Sequence, residues 1–183
     1  LCFFASAYTH VDPRPGSAPE YQTRHAKYRE TVARALAYLQ RRQDPDGAIG
    51  RRCRGKEDPM QEDPEGYMYN HVIATLALCD AYATTGDPAL QAPAQRAVDF
   101  LAAAQDPRGG WDYYKAGHLP EDGKKADERN RYRIDLSITG WAVMALKVAQ
   151  MADLKVPPDM RARTRRFVEH MERGTDPEPR YAE

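Results

Sequence analysis

Two side chains capable of proton transfer stand at matching places, each at the start of a mostly apolar segment. His71 opens residues 71–87, and Asp135 opens residues 135–150. Proteins use imidazole and carboxyl groups for acid–base catalysis, and two such groups facing a common cavity would also bind a polar group. Asp is equally a common helix cap, and a His at a helix start is commonly a hydrogen-bonded structural residue. We favour these structural roles and keep Asp135 and His71 as candidate catalytic residues.

Aromatic residues are concentrated around the predicted turns between helices, where their ring faces could stabilise a cation in an apolar cavity. Packing between helices is the alternative and commoner role of aromatics at such turns. The candidates for lining a cavity are Tyr67, Tyr69 and Trp141, and the wider aromatic set also includes Trp111, Tyr113 and Tyr114.

The cysteines do not indicate a metal site or a disulfide framework. Cys2, Cys53 and Cys79 are odd in number and show no C-x-x-C spacing. The basic stretch 161–166 is expected to be a solvated helix face, and the sequence holds no glycine-rich phosphate loop. We therefore predict neither a metal nor a cofactor, and the redox compartment stays open.

Composition excludes two broad classes of function. The 183 residues contain 27 Lys and Arg against 27 Asp and Glu, so the chain lacks the basic excess of a general nucleic-acid binder. Its longest uncharged apolar stretch, residues 136–146, is far shorter than the roughly 20 residues that cross a bilayer. The sequence predicts a water-soluble chain with no transmembrane segment and no nucleic-acid partner.

The N-terminal part differs from the rest. Residues 1–7, LCFFASA, are similar to the end of a signal peptide with an A-x-A site, which would place the protein outside the cytoplasm; the end of a truncated helix is the alternative. Three prolines and a glycine in residues 11–20 indicate a linker. We assign residues 1–24 to a linker or truncated leader and residues 25–183 to a repeat domain, and leave the compartment open.

An internal repeat organises that domain. ALAYLQRRQDPDGAIG at 35–50 aligns without a gap on AVDFLAAAQDPRGGWD at 97–112, and the apolar segment 71–87 aligns on 135–150. Residues 26–43 and the helix around Met160 and Phe167 have one apolar stripe, whereas 71–87 and 135–150 are apolar nearly all round. This alternation predicts amphipathic outer helices and inner helices buried on every side, in two complete hairpins and half of another. The interior stretch after Trp111, up to Arg133, is predicted to be a long polar loop.

The turn between the aligned segments carries a known signature. Gln105-Asp-Pro-Arg-Gly109-Gly-Trp111 fits Q-x-x-x-G-x-W, and Gln43-Asp-Pro-Asp-Gly47-Ala-Ile49 fits it with Ile for Trp. Over about residues 28–172 the chain resembles the α/α-toroid superfamily of terpenoid cyclases and protein prenyltransferases, especially prenyltransferase and squalene oxidase repeat proteins. The resemblance implies an all-α, double-layered fold of helical hairpins. It assigns structural roles to the motif: Gln binds backbone at a neighbouring helix end, Gly permits the turn, and Trp packs on the adjacent hairpin.

The same resemblance implies a ring of about six hairpins, so we expect these residues to form an incomplete ring. It also indicates where chemistry would occur. Squalene-hopene type cyclases carry a D-x-D-D proton donor at the head of an inner helix. The matching residues here are Tyr132-Arg133-Ile134-Asp135, with Ile134 at the donor position. A missing acid cannot protonate an alkene, so the sequence predicts no cyclase activity through this motif.

Other branches of the superfamily fit less well. Prenyltransferase β subunits hold zinc through an Asp-x-Cys pair and a distant His, whereas Asp135-Leu136-Ser137 has Ser at the Cys position, and Ser is a poor zinc ligand. Thioester domains require G-C-G-E-Q, which does not occur. The paired carboxylates of barrel glycosidases have no matched positions, so that similarity concerns the fold alone.

The sequence thus predicts a terpenoid cyclase- and prenyltransferase-like repeat domain without the recognised catalytic motifs, with a binding or scaffolding role. Its partner would be an apolar or isoprenoid ligand or another protein. The alternative is a segment of an isoprenoid enzyme, either a squalene/hopene-type cyclase or a prenyltransferase, with catalytic residues outside these residues.

Overall fold

Helices make up the fold. The computed structural model describes residues 19–51, 67–113 and 134–173. Within these ranges all regular structure is helical, and the only β-type pairings are two isolated bridges, Gln43 with Ile49 and Trp111 with Asp135. The five helices of these ranges are α1 (Pro19–Arg41), α2 (Met68–Thr85), α3 (Pro88–Ala103), α4 (Leu136–Met151) and α5 (Pro158–Glu172). The all-α prediction is confirmed.

Local sequence explains why α2 and α3 form a tight hairpin. Gly86 ends α2 in the left-handed conformation at φ +63°, which glycine adopts without the steric cost of a Cβ. Asp87 then caps α3, accepting a hydrogen bond from the Ala89 N–H at 2.9 Å, and Pro88 occupies the first turn. A proline there is favourable because its missing N–H would have no partner within the helix.

The helices lie in two layers, as the alternation of amphipathic and apolar segments predicted. α2 and α4 form the most extensive helix pair, while α3 packs on both and α1 packs on α2. The core between them is filled by large side chains that are almost completely inaccessible: Trp111, Tyr67, Met68, Leu78, Leu101, Ile138 and Met160. The inner pair thus supplies the surface on which the outer helices pack.

The expectation that both inner helices are buried on every side is wrong for α4. One side of this helix is exposed over its whole length, including Leu136, Val143, Met144 and Met151, of which Met151 is 70% exposed. The physical reason is that the described neighbours of α4 cover only the side bearing Ile138, Ala142, Ala145 and Ala149. The apolar character of the exposed side therefore does not come from burial among the described helices.

Helix α1 begins earlier than the proline content suggested. Residues 19–24, predicted as the end of a linker, belong to α1, because a proline is tolerated at the first position of a helix. The rest of that linker, the leader-like residues 1–7 and the predicted polar loop from 114 onward lie outside the described residues.

Candidate functional site

The two glutamines of the repeated turns hold neighbouring outer helices together. Gln105 Nε2 donates to the Gly109 carbonyl oxygen at 3.0 Å within its own turn, and to Thr164 Oγ1 at 2.9 Å and the Met160 carbonyl oxygen at 3.4 Å in α5. Gln43 Nε2 donates in the same manner to the Pro93 carbonyl oxygen in α3 at 2.9 Å. Each glutamine therefore links its turn to the outer helix of the following hairpin.

The glutamine carbonyl oxygens differ between the two copies. Arg96 donates to Gln43 Oε1 at 2.8 Å. Gln105 Oε1 is buried and finds no donor among the described residues, while the equivalent arginine, Arg163, lies 3.6 Å from Asp159 instead. Both copies thus keep the hydrogen bonds that the glutamine Nε2 donates, whereas the partner of the glutamine Oε1 differs between them.

Gly47 and Gly109 are required by close packing as well as by conformation. Both have positive φ, +95° and +107°. A Cβ on Gly47 would lie 2.1 Å from the Arg96 carbonyl oxygen, and one on Gly109 would lie 2.3 Å from the Arg163 carbonyl oxygen. Backbone of the next outer helix therefore occupies the space that any side chain would need.

The backbone N–H of the last residue in each motif donates a hydrogen bond to a side chain of the following inner helix, and the acceptor differs between the two copies. The Trp111 N–H donates to Thr139 Oγ1 at 3.0 Å, whereas the Ile49 N–H donates to His71 Nδ1 at 3.2 Å. The Trp111 indole N–H also donates to the Leu101 carbonyl oxygen at 2.9 Å. His71 therefore provides in one copy the acceptor that a threonine provides in the other.

His71 is fully buried and lies in the first turn of α2. Since its Nδ1 accepts the Ile49 N–H, its Nε2 carries the proton and donates to the Ala97 carbonyl oxygen at 3.2 Å, and Phe100 packs edge-on to the ring at 4.6 Å. Burial lowers the pKa of His71 to about 3. The ring is neutral at physiological pH, with both nitrogens engaged in bonds to backbone.

Asp135 is equivalent to His71 in the repeat, because Thr139 Oγ1 bonds the Asp135 carbonyl oxygen as Thr75 Oγ1 bonds that of His71, each at 2.8 Å. Its carboxylate caps α4 by accepting the Ile138 N–H at 2.9 Å. Asp135 therefore stands just before the first residue of α4, whereas His71 lies one turn inside α2.

A polar network surrounds the Asp135 carboxylate where the N-terminal ends of α2 and α4 meet. The Ser137 hydroxyl donates a hydrogen bond to the Asp135 carboxylate. Because its proton is used in this bond, the Ser137 hydroxyl accepts the hydrogen bond that the Tyr69 hydroxyl donates. The Tyr113 hydroxyl bonds Asp135 as well, and the Tyr113 ring packs edge-on to Tyr69 at 5.8 Å. Neither Ser137 nor Tyr113 was assigned this role from the sequence, which gave Ser137 only as the residue at the position of a zinc-binding Cys and Tyr113 only as an aromatic residue near a turn.

The electrostatics of this network favour a carboxylate. Partial burial tends to raise the pKa of Asp135, but the hydrogen bonds that it accepts outweigh this effect and hold the pKa below its ordinary value. The ionised carboxylate can orient donors and fix the helix end. It does not carry the proton that an acid catalyst gives away.

The predicted cavity aromatics lie in different environments. Tyr67 is 2% exposed and packs against Phe100 in the core, with the Arg51 guanidinium 5.5 Å from its ring centroid. Tyr69 belongs to the Asp135 network, and Trp141 is 38% exposed on α4. Tyr114 lies outside the described residues.

Arg51 also went unnoticed in the sequence. It forms ion pairs with Asp46 and, at 3.7 Å, with Asp44, and it lies over the rings of Tyr67 and Phe100. Because the two rings come from a segment 16 residues later and from α3, no local pattern identifies this contact.

The part of the chain that the structure describes holds one buried free thiol and no cluster of metal ligands. No three His, Cys, Asp or Glu side chains come together there as metal ligands. Cys79 is a buried free thiol, and burial raises its pKa to about 12. Cys2 and Cys53 lie outside these ranges. None of the helices α1 to α5 is long and apolar enough to cross a membrane.

The layered hairpins and the glutamine–glycine turns that dock each outer helix on the next define the class of protein, an α/α-toroid domain of the terpenoid cyclase and prenyltransferase superfamily. Within it, the family model described as squalene-hopene cyclase C-terminal domain matches residues 21–162, and the chain belongs to this family. Comparisons with curated proteins and with solved structures gave no match.

Proposed function

We propose that this squalene-hopene cyclase-like domain acts in binding or scaffolding and does not start cyclisation by proton transfer from Asp135. The observation that carries the proposal is the state of the Asp135 carboxylate, which caps α4 and has a lowered pKa. An acid that protonates an alkene must instead be kept neutral by an apolar site or neighbouring negative charge. The hydrogen bonds to Asp135 work in the opposite direction.

The residues next to Asp135 support the same conclusion. Ile134 stands where the resemblance to cyclases places the proton donor, and its side chain has no acidic group. Ser137 stands where prenyltransferases carry a zinc-binding Cys, and its hydroxyl already donates to Asp135. We therefore assign Asp135 and Ser137 to the ordering of the α4 end.

The exposed side of α4 supports a binding role. Leu136, Val143, Met144 and Met151 form an apolar surface along the inner helix. Exposed apolar surfaces of this kind commonly mark sites that bind a ligand or another protein. An apolar or isoprenoid ligand, or a protein partner, would bury this surface.

The test compares the wild-type chain with Asp135→Asn, because Asn caps helices about as well as Asp. Both are incubated with squalene and with farnesyl diphosphate plus a thiol peptide, and products are identified by mass spectrometry. We expect no product from either chain, and equal shifts in melting temperature with any apolar ligand that binds. Product formed by the wild type and lost in Asp135→Asn would refute the proposal.

A second candidate function is a segment of an isoprenoid enzyme whose catalytic residues lie elsewhere. The family match over residues 21–162 favours it. A longer protein containing this chain that converts squalene or a prenyl diphosphate would establish the enzyme. Inactivity of such a protein, intact and folded, on both substrates would eliminate it.

A further inference from the structure

An apolar groove lies between α4 and α5. A short turn at 152–157 joins the two helices, and they enclose a cavity of about 450 Å³ that is open to solvent. Leu146, Met160 and Thr164 form its buried floor, and Val143 and Val168 form part of its exposed walls. The volume lies within the range of about 300–1,000 Å³ that is typical of small-molecule sites.

The α5 side of the groove differs from the equivalent face of α3, which is buried among the other helices. Gly47 lies against the Arg96 carbonyl oxygen as Gly109 lies against that of Arg163, which aligns α3 with α5 at a spacing of 67 residues. At that spacing, Arg161 and Arg165 of the groove correspond to Ala94 and Val98 of α3.

Ala94 and Val98 are completely buried, whereas Arg161 and Arg165 are exposed. Covering two arginines with an apolar helix would remove their charges from water at a large cost unless partners were supplied. The surface is therefore not a copy of the internal helix interface, and its occupant must satisfy positive charge as well as apolar surface.

The charges of the groove are unequally paired. Arg165 forms an ion pair with Glu169 at 2.8 Å. Lys147 and Arg161 also line the groove, and neither forms an ion pair with any residue in the described ranges. Arg161 lies in the first turn of α5, close to the interhelical turn, and Lys147 lies in the last third of α4. Positive charge without a partner in those ranges is thus concentrated towards one end of an apolar channel.

The far end of the channel is lined by Val143 from α4, and by Val168 and the Arg165–Glu169 ion pair from α5. From Gln150 back to Val143 the groove follows α4 for about two turns, roughly 10 Å at 1.5 Å per residue. Val168 approaches this end from α5. An extended hydrocarbon chain fits such a surface, with its polar end towards Arg161 and Lys147.

We propose that the α4–α5 groove binds a monomeric long-chain carboxylate, whose head group bonds Lys147 and Arg161 and whose chain covers Leu146, Val143 and Val168. This inference deepens the proposed binding function and rests on it. It uses the C-terminal half of α4, so it does not involve the Asp135 network at the N-terminal end of that helix.

The experiment titrates sodium dodecanoate, below its micelle concentration, into the full 183-residue chain by isothermal calorimetry. Dodecyltrimethylammonium provides the same hydrocarbon chain with a positive head group. We expect saturable 1:1 binding of dodecanoate and at least about tenfold weaker binding of the cationic compound, the equivalent of about 1.4 kcal/mol.

Charge-reversed variants locate the head group. In the double variant Lys147→Glu/Arg161→Glu we expect the Kd for dodecanoate to rise at least about tenfold, equivalent to about 1.4 kcal/mol. Arg166→Glu is the matched control, because Arg166 is exposed on α5 but does not line the groove. Its Kd should equal that of the wild type. All three residues lie on the solvent side of their helices, and circular dichroism melts verify that the variants fold.

Each other outcome overturns the proposal. Absent binding, equal affinity for both head groups, or an unchanged Kd in the double variant would each exclude a carboxylate site in this groove. Binding to phosphatidylglycerol vesicles without binding of monomeric dodecanoate would assign the surface to a membrane instead. Turnover of squalene tests the proposed function separately, so failure of one result is distinguishable from failure of the other.

Discussion

Replacing Gly109 by Ala tests whether the repeated turn is positioned by direct contact with the next outer helix. Gly109 has φ +107°, and an added Cβ would lie 2.3 Å from the Arg163 carbonyl oxygen and 2.5 Å from its carbon. The backbone conformation costs a non-glycine residue about 1–3 kcal/mol. The clash adds about 1–3 kcal/mol, because backbone, unlike a flexible side chain, must move as a unit.

We therefore expect Gly109→Ala to lower the free energy of unfolding by about 2–6 kcal/mol, a large part of the stability of a typical domain. Gly86→Ala is the matched control. Gly86 also has positive φ, +63°, but a Cβ added there would meet no atom within 4 Å. Only the left-handed conformation is penalised at this position, at about 1–2 kcal/mol.

The assay is urea unfolding of both variants and the wild type, followed by far-UV circular dichroism. A loss in Gly109→Ala no greater than that in Gly86→Ala would refute the close approach of the turn to α5. Gly47→Ala repeats the experiment in the first copy, where the Cβ would lie 2.1 Å from the Arg96 carbonyl oxygen, and should behave like Gly109→Ala.

Three further predictions concern the inner helices. Because the pKa of His71 falls from its ordinary 6.5 to about 3 on folding, the unfolded chain binds the proton first, and stability falls by about 1.4 kcal/mol per unit as pH drops through that window. His71→Gln should lose this part of the pH dependence in urea titrations, and an unchanged slope would contradict the assignment. Asp135→Ala should lower the unfolding free energy by about 1 kcal/mol through loss of the α4 cap, whereas Asp135→Asn should change it little; equal losses would exclude a capping role. Trp111→Phe should cost about 1–3 kcal/mol, because the Leu101 carbonyl oxygen loses its buried donor, and thermal melts that coincide with the wild type would argue against that bond.

Local patterns in the sequence determined the helices and their order. Apolar spacing distinguished the amphipathic outer helices from the inner ones, since helical periodicity is a property of neighbouring residues. The resemblance carried by the repeated Gln-x-x-x-Gly turn also implied that Gln binds the backbone of a neighbouring helix, and Gln105 bonds the Met160 carbonyl oxygen, 55 residues later. The helices could be predicted because helical periodicity depends on residues within a few positions of one another.

Only the tertiary structure decided what the candidate site residues contact. His71 accepts a hydrogen bond from Ile49, 22 residues earlier, and donates one to Ala97, 26 residues later. The same burial that makes both bonds possible also makes the ring neutral. Nothing in the spacing of His71 distinguishes this arrangement from a catalytic one.

The exposed side of α4 illustrates the same limit. Its sequence is apolar nearly all round, which by composition indicates a helix buried on every side. Whether Met144 or Met151 meets another helix depends on which elements pack beside α4, and among the described helices both are exposed. Amino-acid type therefore determined that α4 is a helix of inner character, while the arrangement of its neighbours determined which of its faces is exposed.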